Sequence, residues 1–188
     1  MPKILTETQI ERFRRDGCVF PVRVMSEAEA LAIRSKLEDY ERRSGGPLAG
    51  DLRHKTHLLF SWLADLVRNS RIVDAIEDLY GPNLLCWTTN FFIKEANNPA
   101  FVSWHQDSTY WGLSTPDVVT AWVALTPSNH ANGAMTFIPG THQSDQLAVE
   151  HGDVDPVALL LEVQRGDGRL HDVGPTAVEF ERSLQLLA

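Results

Sequence analysis

At Gly81-Pro82 the chain changes texture, and this constrains its fold more than any other feature. Before that point the residues carry helix signals. Thr6 and Gln9 have capping-box spacing, with Ile10 and Phe13 three apart behind them and Gly17 as the stop. Ser26 and Glu29 form a second box, followed by an apolar face of Ala30, Ile33 and Leu37. Ser44-Gly45-Gly46-Pro47 breaks the chain. The apolar run 57–67 reads as helical, and 71–80 as a helix with Ile72, Ile76 and Leu79 on one face and Gly81-Pro82 as its end. Between the first two helices, 18–24 is a short apolar run interrupted by Pro21. A residue without an N–H suits an edge strand better than a central one.

Beyond Pro82, β-branched and aromatic residues dominate. The run 84–94 contains Trp87, Thr88, Thr89, Phe91, Phe92 and Ile93, and Asn97-Asn98-Pro99 follows as a turn. The segment 118–126 is a second strand candidate. The segment 134–138 is a short third one, closed by Pro139-Gly140, and 177–180 reads as the start of another. The run 158–163 is apolar without a clear period. Strands joined by turns, with no helix between them, point to an antiparallel sandwich or barrel rather than βαβ units. The expected organisation is a helical region over 1–81 packed on a β core over 82–188.

Composition narrows the function classes. With 43% hydrophobic and 22% charged residues the chain can build a packed core. A net charge of −8 and the lack of a basic stripe argue against nucleic acid as a partner. No run approaches the roughly 18 apolar residues of a membrane span, and the polar start at Met1-Pro2-Lys3 lacks the apolar core of a secretory signal. A cytoplasmic location and a small-molecule partner are the expectation; oligomeric state is not readable. Cys18 and Cys86 form no C-x-x-C pair and read as buried or idle thiols.

Chemistry concentrates in Trp104-His105-Gln106-Asp107. Residues two apart in an extended segment point to the same side, so His105 and Asp107 can offer an imidazole nitrogen and a carboxylate oxygen to one metal. That is two-thirds of a 2-His-1-carboxylate triad, which leaves open positions on Fe(II). The spacing alone is a weak signal, and a satisfied polar pair in a strand is the plainer reading of it. A second H-x-D, His151-Gly152-Asp153, lies in a polar stretch without β-formers and reads as a surface loop. His54, His57 and His130 read as surface or packing residues. The aromatics Trp104, Tyr110, Trp111 and Trp122 read as core first, with Tyr110 and Trp111 placed to reach a cavity mouth.

The surroundings of the pair resemble the phytanoyl-CoA dioxygenase family over roughly residues 5 to 145. Leu5, Thr6, Gln9, Ile10, Phe13, Asp16 and Gly17 open the pattern, and a strand ending in Lys94 follows. Next come Trp104-His105-Gln106-Asp107, Tyr110-Trp111 and a strand with Ala121-Trp122-Val123-Ala124-Leu125. The most distinctive block is last: Asn132-Gly133-Ala134-Met135, then Ile138-Pro139-Gly140-Thr141-His142. The resemblance implies a mainly β fold with N-terminal helices, a double-stranded β-helix (jelly roll, cupin-like). It also implies Fe(II), 2-oxoglutarate and O2, and hydroxylation of a small organic substrate at an unactivated C–H bond. It makes His105 and Asp107 metal ligands and Lys94 a 2-oxoglutarate contact. By its residues alone Lys94 reads equally well as a solvated strand-end lysine. In the resemblance His142 belongs to a structural turn and is not a ligand. A halogenase is disfavoured, since such sites vacate the carboxylate that Asp107 supplies.

The family pattern also carries a third ligand, a His on a late strand, and an Arg beyond it for 2-oxoglutarate. Neither block is found after Thr141-His142, where only His151 and His171 remain, and only Arg182 follows in anything like the expected place. The late strands are therefore expected to be missing. Three readings stay open: a shortened oxygenase; His151 or His171 standing in as third ligand, including a cupin-like set of His105, Asp107 and His151; or a relative without catalysis that binds a small molecule or a protein.

Overall fold

The structure, a computed structural model, describes residues 1–93, 105–106, 118–132 and 134–144, together with the backbone of 177–182. Four α-helices and three strands are assigned among them: α1 (Glu7–Asp16), β1 (Cys18–Arg23), α2 (Glu27–Ser44), α3 (Ser61–Val67), α4 (Ser70–Tyr80), β2 (Val119–Val123) and β3 (Ala177–Arg182). The strands form an antiparallel sheet in the order β1-β3-β2. β1, at the edge, has its pairing with β3 interrupted between Val19 and Val22, where Pro21 can donate nothing to the ladder.

Local chemistry sets the helix ends. Both capping boxes form: Thr6 and Ser26 accept from the backbone of Gln9 and Glu29, whose side chains reach back to the capping N–H groups. α1 and α2 end on left-handed glycines, Gly17 at φ 82° and Gly45 at φ 80°. The apolar run 57–67 is not one helix. A 3-10 turn over Thr56–Leu58 is followed by α3, with Phe60 in an extended conformation between them. The stretch 84–93, expected as a strand, makes a single antiparallel bridge among the described residues, Asn90 to His54. Its β-forming composition reports side chains suited to a pleated surface, which does not by itself supply a ladder partner. Within 134–138 only Phe137 has bridge character. The run 158–163 and the turn Asn97-Asn98-Pro99 lie outside the described residues.

The core lies between the helices and one face of the sheet. Ile10 and Phe13 of α1, Val19 and Val22 of β1, Ala30 of α2, and Ile72 and Ala75 of α4 are buried together. Val119, Ala121 and Val123 pack against them, which is the alternate-residue face of β2. The N-terminal segment is fastened to this core by one carboxylate. Asp78 accepts the backbone N–H groups of Lys3 at 2.8 Å, Ile4 at 2.8 Å and Leu5 at 2.9 Å. Lys3 adds ion pairs to Asp74 and Glu77. Burial pushes the Asp78 carboxyl upward, but the three N–H donors and the Lys3 ammonium outweigh it and hold the group below its ordinary value.

A lowered folded value means that Asp78 stabilises the fold above its unfolded value, about 3.9 for aspartate. That contribution fades as pH falls through the folded value. Asp78→Asn should therefore lower the urea midpoint at pH 7, by about 1–3 kcal/mol of stability for a charge-assisted group left with a poorer acceptor. The gap to the parent should narrow as both are acidified below about pH 4. A gap that widened on acidification would overturn this assignment.

Candidate metal and co-substrate site

The site is built around what holds residues 118–144 against the helices. The last four carbonyls of an α-helix have no partner within it, and three of those of α1 are met by this distant segment. Gly17 N–H donates to Phe13 O at 2.8 Å. His142 Nε2–H donates to Arg14 O at 3.1 Å, and the Gln143 amide donates to Arg14 O and Arg15 O, each at 3.2 Å. Gly140 N–H donates to Asp16 O at 2.9 Å. His142 is 2% exposed and lies so close to Gly17 that a Cβ there would fall 2.4 Å from Nδ1. Gly17 is thus required twice, by its left-handed φ and by the ring beside it. Arg15 grips the Asp16 carboxylate with two bonds of 2.7 Å and, with Arg12 and His142 nearby, keeps it below the usual carboxylate range against the cost of burial.

Asn132 orders the loop leading into this turn. Its side chain accepts from Asn129 N–H at 2.8 Å and donates to Pro127 O at 2.7 Å. The block from Asn132 to His142 is therefore architectural at both ends, which gives His142 its place in a structural turn.

Of the expected ligands, His105 is described and is buried at 8% exposure beside Gln106 at 3%. An imidazole has the nitrogen-donor chemistry of a metal ligand. Asp107 and Lys94 lie outside the described residues, as do Trp104, Tyr110, Trp111, His151 and His171. Among the described residues, no three His, Cys, Asp or Glu side chains converge to hold a metal. Trp122 is half-buried on β2, Cys18 is buried and Cys86 exposed, and neither cysteine is in a disulfide. No helix among the described residues is long and apolar enough to cross a membrane.

One cluster was not anticipated from sequence. The Thr89 hydroxyl meets Thr56 Oγ1 at 2.9 Å and His57 Nδ1 at 2.9 Å, and accepts His57 N–H at 3.1 Å. His54 Nδ1 and Asn90 Oδ1 are 3.1 Å apart beside it. These contacts lay the 54–57 loop along the segment that leads to Lys94. Lys55 adopts a left-handed φ of 51° there, with its ammonium 4.8 Å from the Trp87 ring centre. The signal was faint, since Thr89 reads as an ordinary β-former. Thr89→Val, which keeps shape and removes the hydroxyl, should destabilise by about 1–3 kcal/mol because Thr56 is buried and loses its partner. Gly17→Ala should cost about 2–4 kcal/mol, combining left-handed strain with a clash against buried His142. Urea midpoints at constant slope measure both, and shifts below about 0.5 kcal/mol would contradict them.

The phytanoyl-CoA dioxygenase (PhyH) family profile matches residues 13–157. A Stutzerimonas stutzeri protein named a probable alpha-ketoglutarate-dependent hypophosphite dioxygenase is 30% identical over 133 residues, 68% of this chain and 46% of that protein. An ectoine dioxygenase of Bordetella parapertussis (strain 12822) is 24% identical over 192 residues, 86% of this chain and 62% of the relative. The chain thus spans about half the length of the curated relatives it matches. Among solved structures, a non-heme monooxygenase, ThoJ, in complex with nickel superposes with a TM-score of 0.73 at 32% identity, covering 95% of this chain and 69% of that one. With its signature blocks in order and its fold shared with a non-heme oxygenase, the chain belongs to the phytanoyl-CoA dioxygenase family.

Proposed function

We propose that this protein works as an Fe(II)/2-oxoglutarate-dependent dioxygenase that hydroxylates a small organic substrate. The observation that carries the reading is the buried imidazole of His105, in the Trp104-His105-Gln106-Asp107 motif of a chain that belongs to this family. The relatives named for hypophosphite and ectoine support the reaction class. The fold is read as a double-stranded β-helix, with 1–81 as a helical region against a core drawn from 82–188.

His105 would bind the metal through a neutral imidazole nitrogen and Asp107 through its carboxylate, whose charge partly offsets that of the cation. Fe(II) bound there supplies open positions for 2-oxoglutarate and O2. Lys94 would hold a carboxylate of 2-oxoglutarate by a charge-assisted hydrogen bond.

Anaerobic titration with Fe(II) and 2-oxoglutarate tests the proposal. A visible metal-to-ligand charge-transfer band is expected, and His105→Ala and Asp107→Ala should each abolish it while the fold survives by circular dichroism. His151→Ala and His171→Ala, run beside them, identify a third donor within the chain. A folded protein that gives no band under saturating Fe(II) and 2-oxoglutarate would overturn the reading in favour of a non-catalytic binding module.

A further inference from the structure

We propose that the groove between α2 and the 59–62 segment is a binding site for a small aromatic carboxylate. The groove has a volume of about 490 Å³, within the range of small-molecule sites. Lys36, Tyr40 and Arg43 line it from α2, at positions i, i+4 and i+7 of one helical face. Phe60 and Trp62 line it from the other side. Tyr40 meets Phe60 edge-on at 4.9 Å between ring centres, and Phe60 lies 5.8 Å from Trp62. These aromatics are only half-buried, and Leu59 beside them is 53% exposed. A flat apolar ligand body would cover surface that otherwise faces water.

The charges select the sign of the ligand. Asp39, the one acidic lining residue, is bonded to Arg42 at 2.7 Å. Lys36 and Arg43 pair with no carboxylate among the described residues. Arg43 is steadied by its Nε–H donating to Asp39 O at 3.1 Å, which leaves its terminal N–H groups as a fork for an oxyanion. Two such cations beside an aromatic wall run against the acidic balance of a chain with net charge −8. A bare phosphate would use the cations and waste the rings, and a neutral aromatic would do the reverse. An aromatic carboxylate uses both.

The site is independent of the oxygenase reading, and its test needs neither iron nor 2-oxoglutarate. Calorimetric titration of the full chain with naphthalene-2-carboxylate and with its neutral amide should give saturable binding of one carboxylate per chain. The carboxylate should bind at least about tenfold tighter than the amide, the scale of one charge-assisted contact, and should weaken with added salt. Lys36→Gln/Arg43→Gln, on an exposed helix face that tolerates glutamine, should lose about tenfold in affinity, and Trp62→Leu should also weaken binding. Equal affinity for carboxylate and amide, or parent-like binding by the double variant, would overturn the proposal. So would binding lost in His105→Ala but kept in the groove variants, which would place the carboxylate at the motif instead.

Discussion

The rest of the structure depends on how the C-terminal turn of α1 finds partners for its carbonyls. A helix this short gains little from its own hydrogen bonds, and its last carbonyls must be met by water or by another segment; here the cap Gly17 is buried while Arg14 and Arg15 are exposed. The 140–143 turn supplies the missing donors from residues more than a hundred positions away. Each such bond contributes only about 1 kcal/mol net. Their joint effect is geometric. They fix α1, α1 places Ile10 and Phe13 in the core, and that core seats the inner face of β2. Everything between Gly17 and Gly140, His105 included, belongs to a loop closed at this point.

The same device recurs at the other seams. One Asp78 carboxylate gathers three backbone N–H groups of the N-terminal segment, and one Thr89 hydroxyl gathers a second loop. In each case a single side chain meets several polar groups of a segment outside the α-helices and strands. Hydrophobic contact sets the layers, but it is non-directional. These polar clasps are directional and decide how the segments meet.

What the sequence made legible follows from the range of the interactions. The capping boxes and the stops at Gly17 and Gly45 are decided within a few residues, so reading them needed no tertiary knowledge. Pro21 announced an edge strand because it lacks an N–H, and β1 is at the edge of the described sheet. The run 84–93 was misjudged because β-propensity describes a surface, whereas a ladder needs a partner. Here the hydroxyl of Thr89 and the side chain of Asn90 answer a 3-10 loop instead. The His105-x-Asp107 spacing was readable, while the burial of His105 was not. The role of His142 on α1 could not be foreseen either, since nothing local ties it to Arg14.

A framework held in this way separates two tasks. The block from Asn132 to His142 fastens helix to loop. The proposed metal motif asks for little more than an imidazole and a carboxylate two residues apart. Relatives named for ectoine and for hypophosphite are 24% and 30% identical to this chain, although one name denotes an organic molecule and the other an inorganic anion. A shared fold does not by itself select between such substrates. Selection must come from side chains that the framework leaves free to differ.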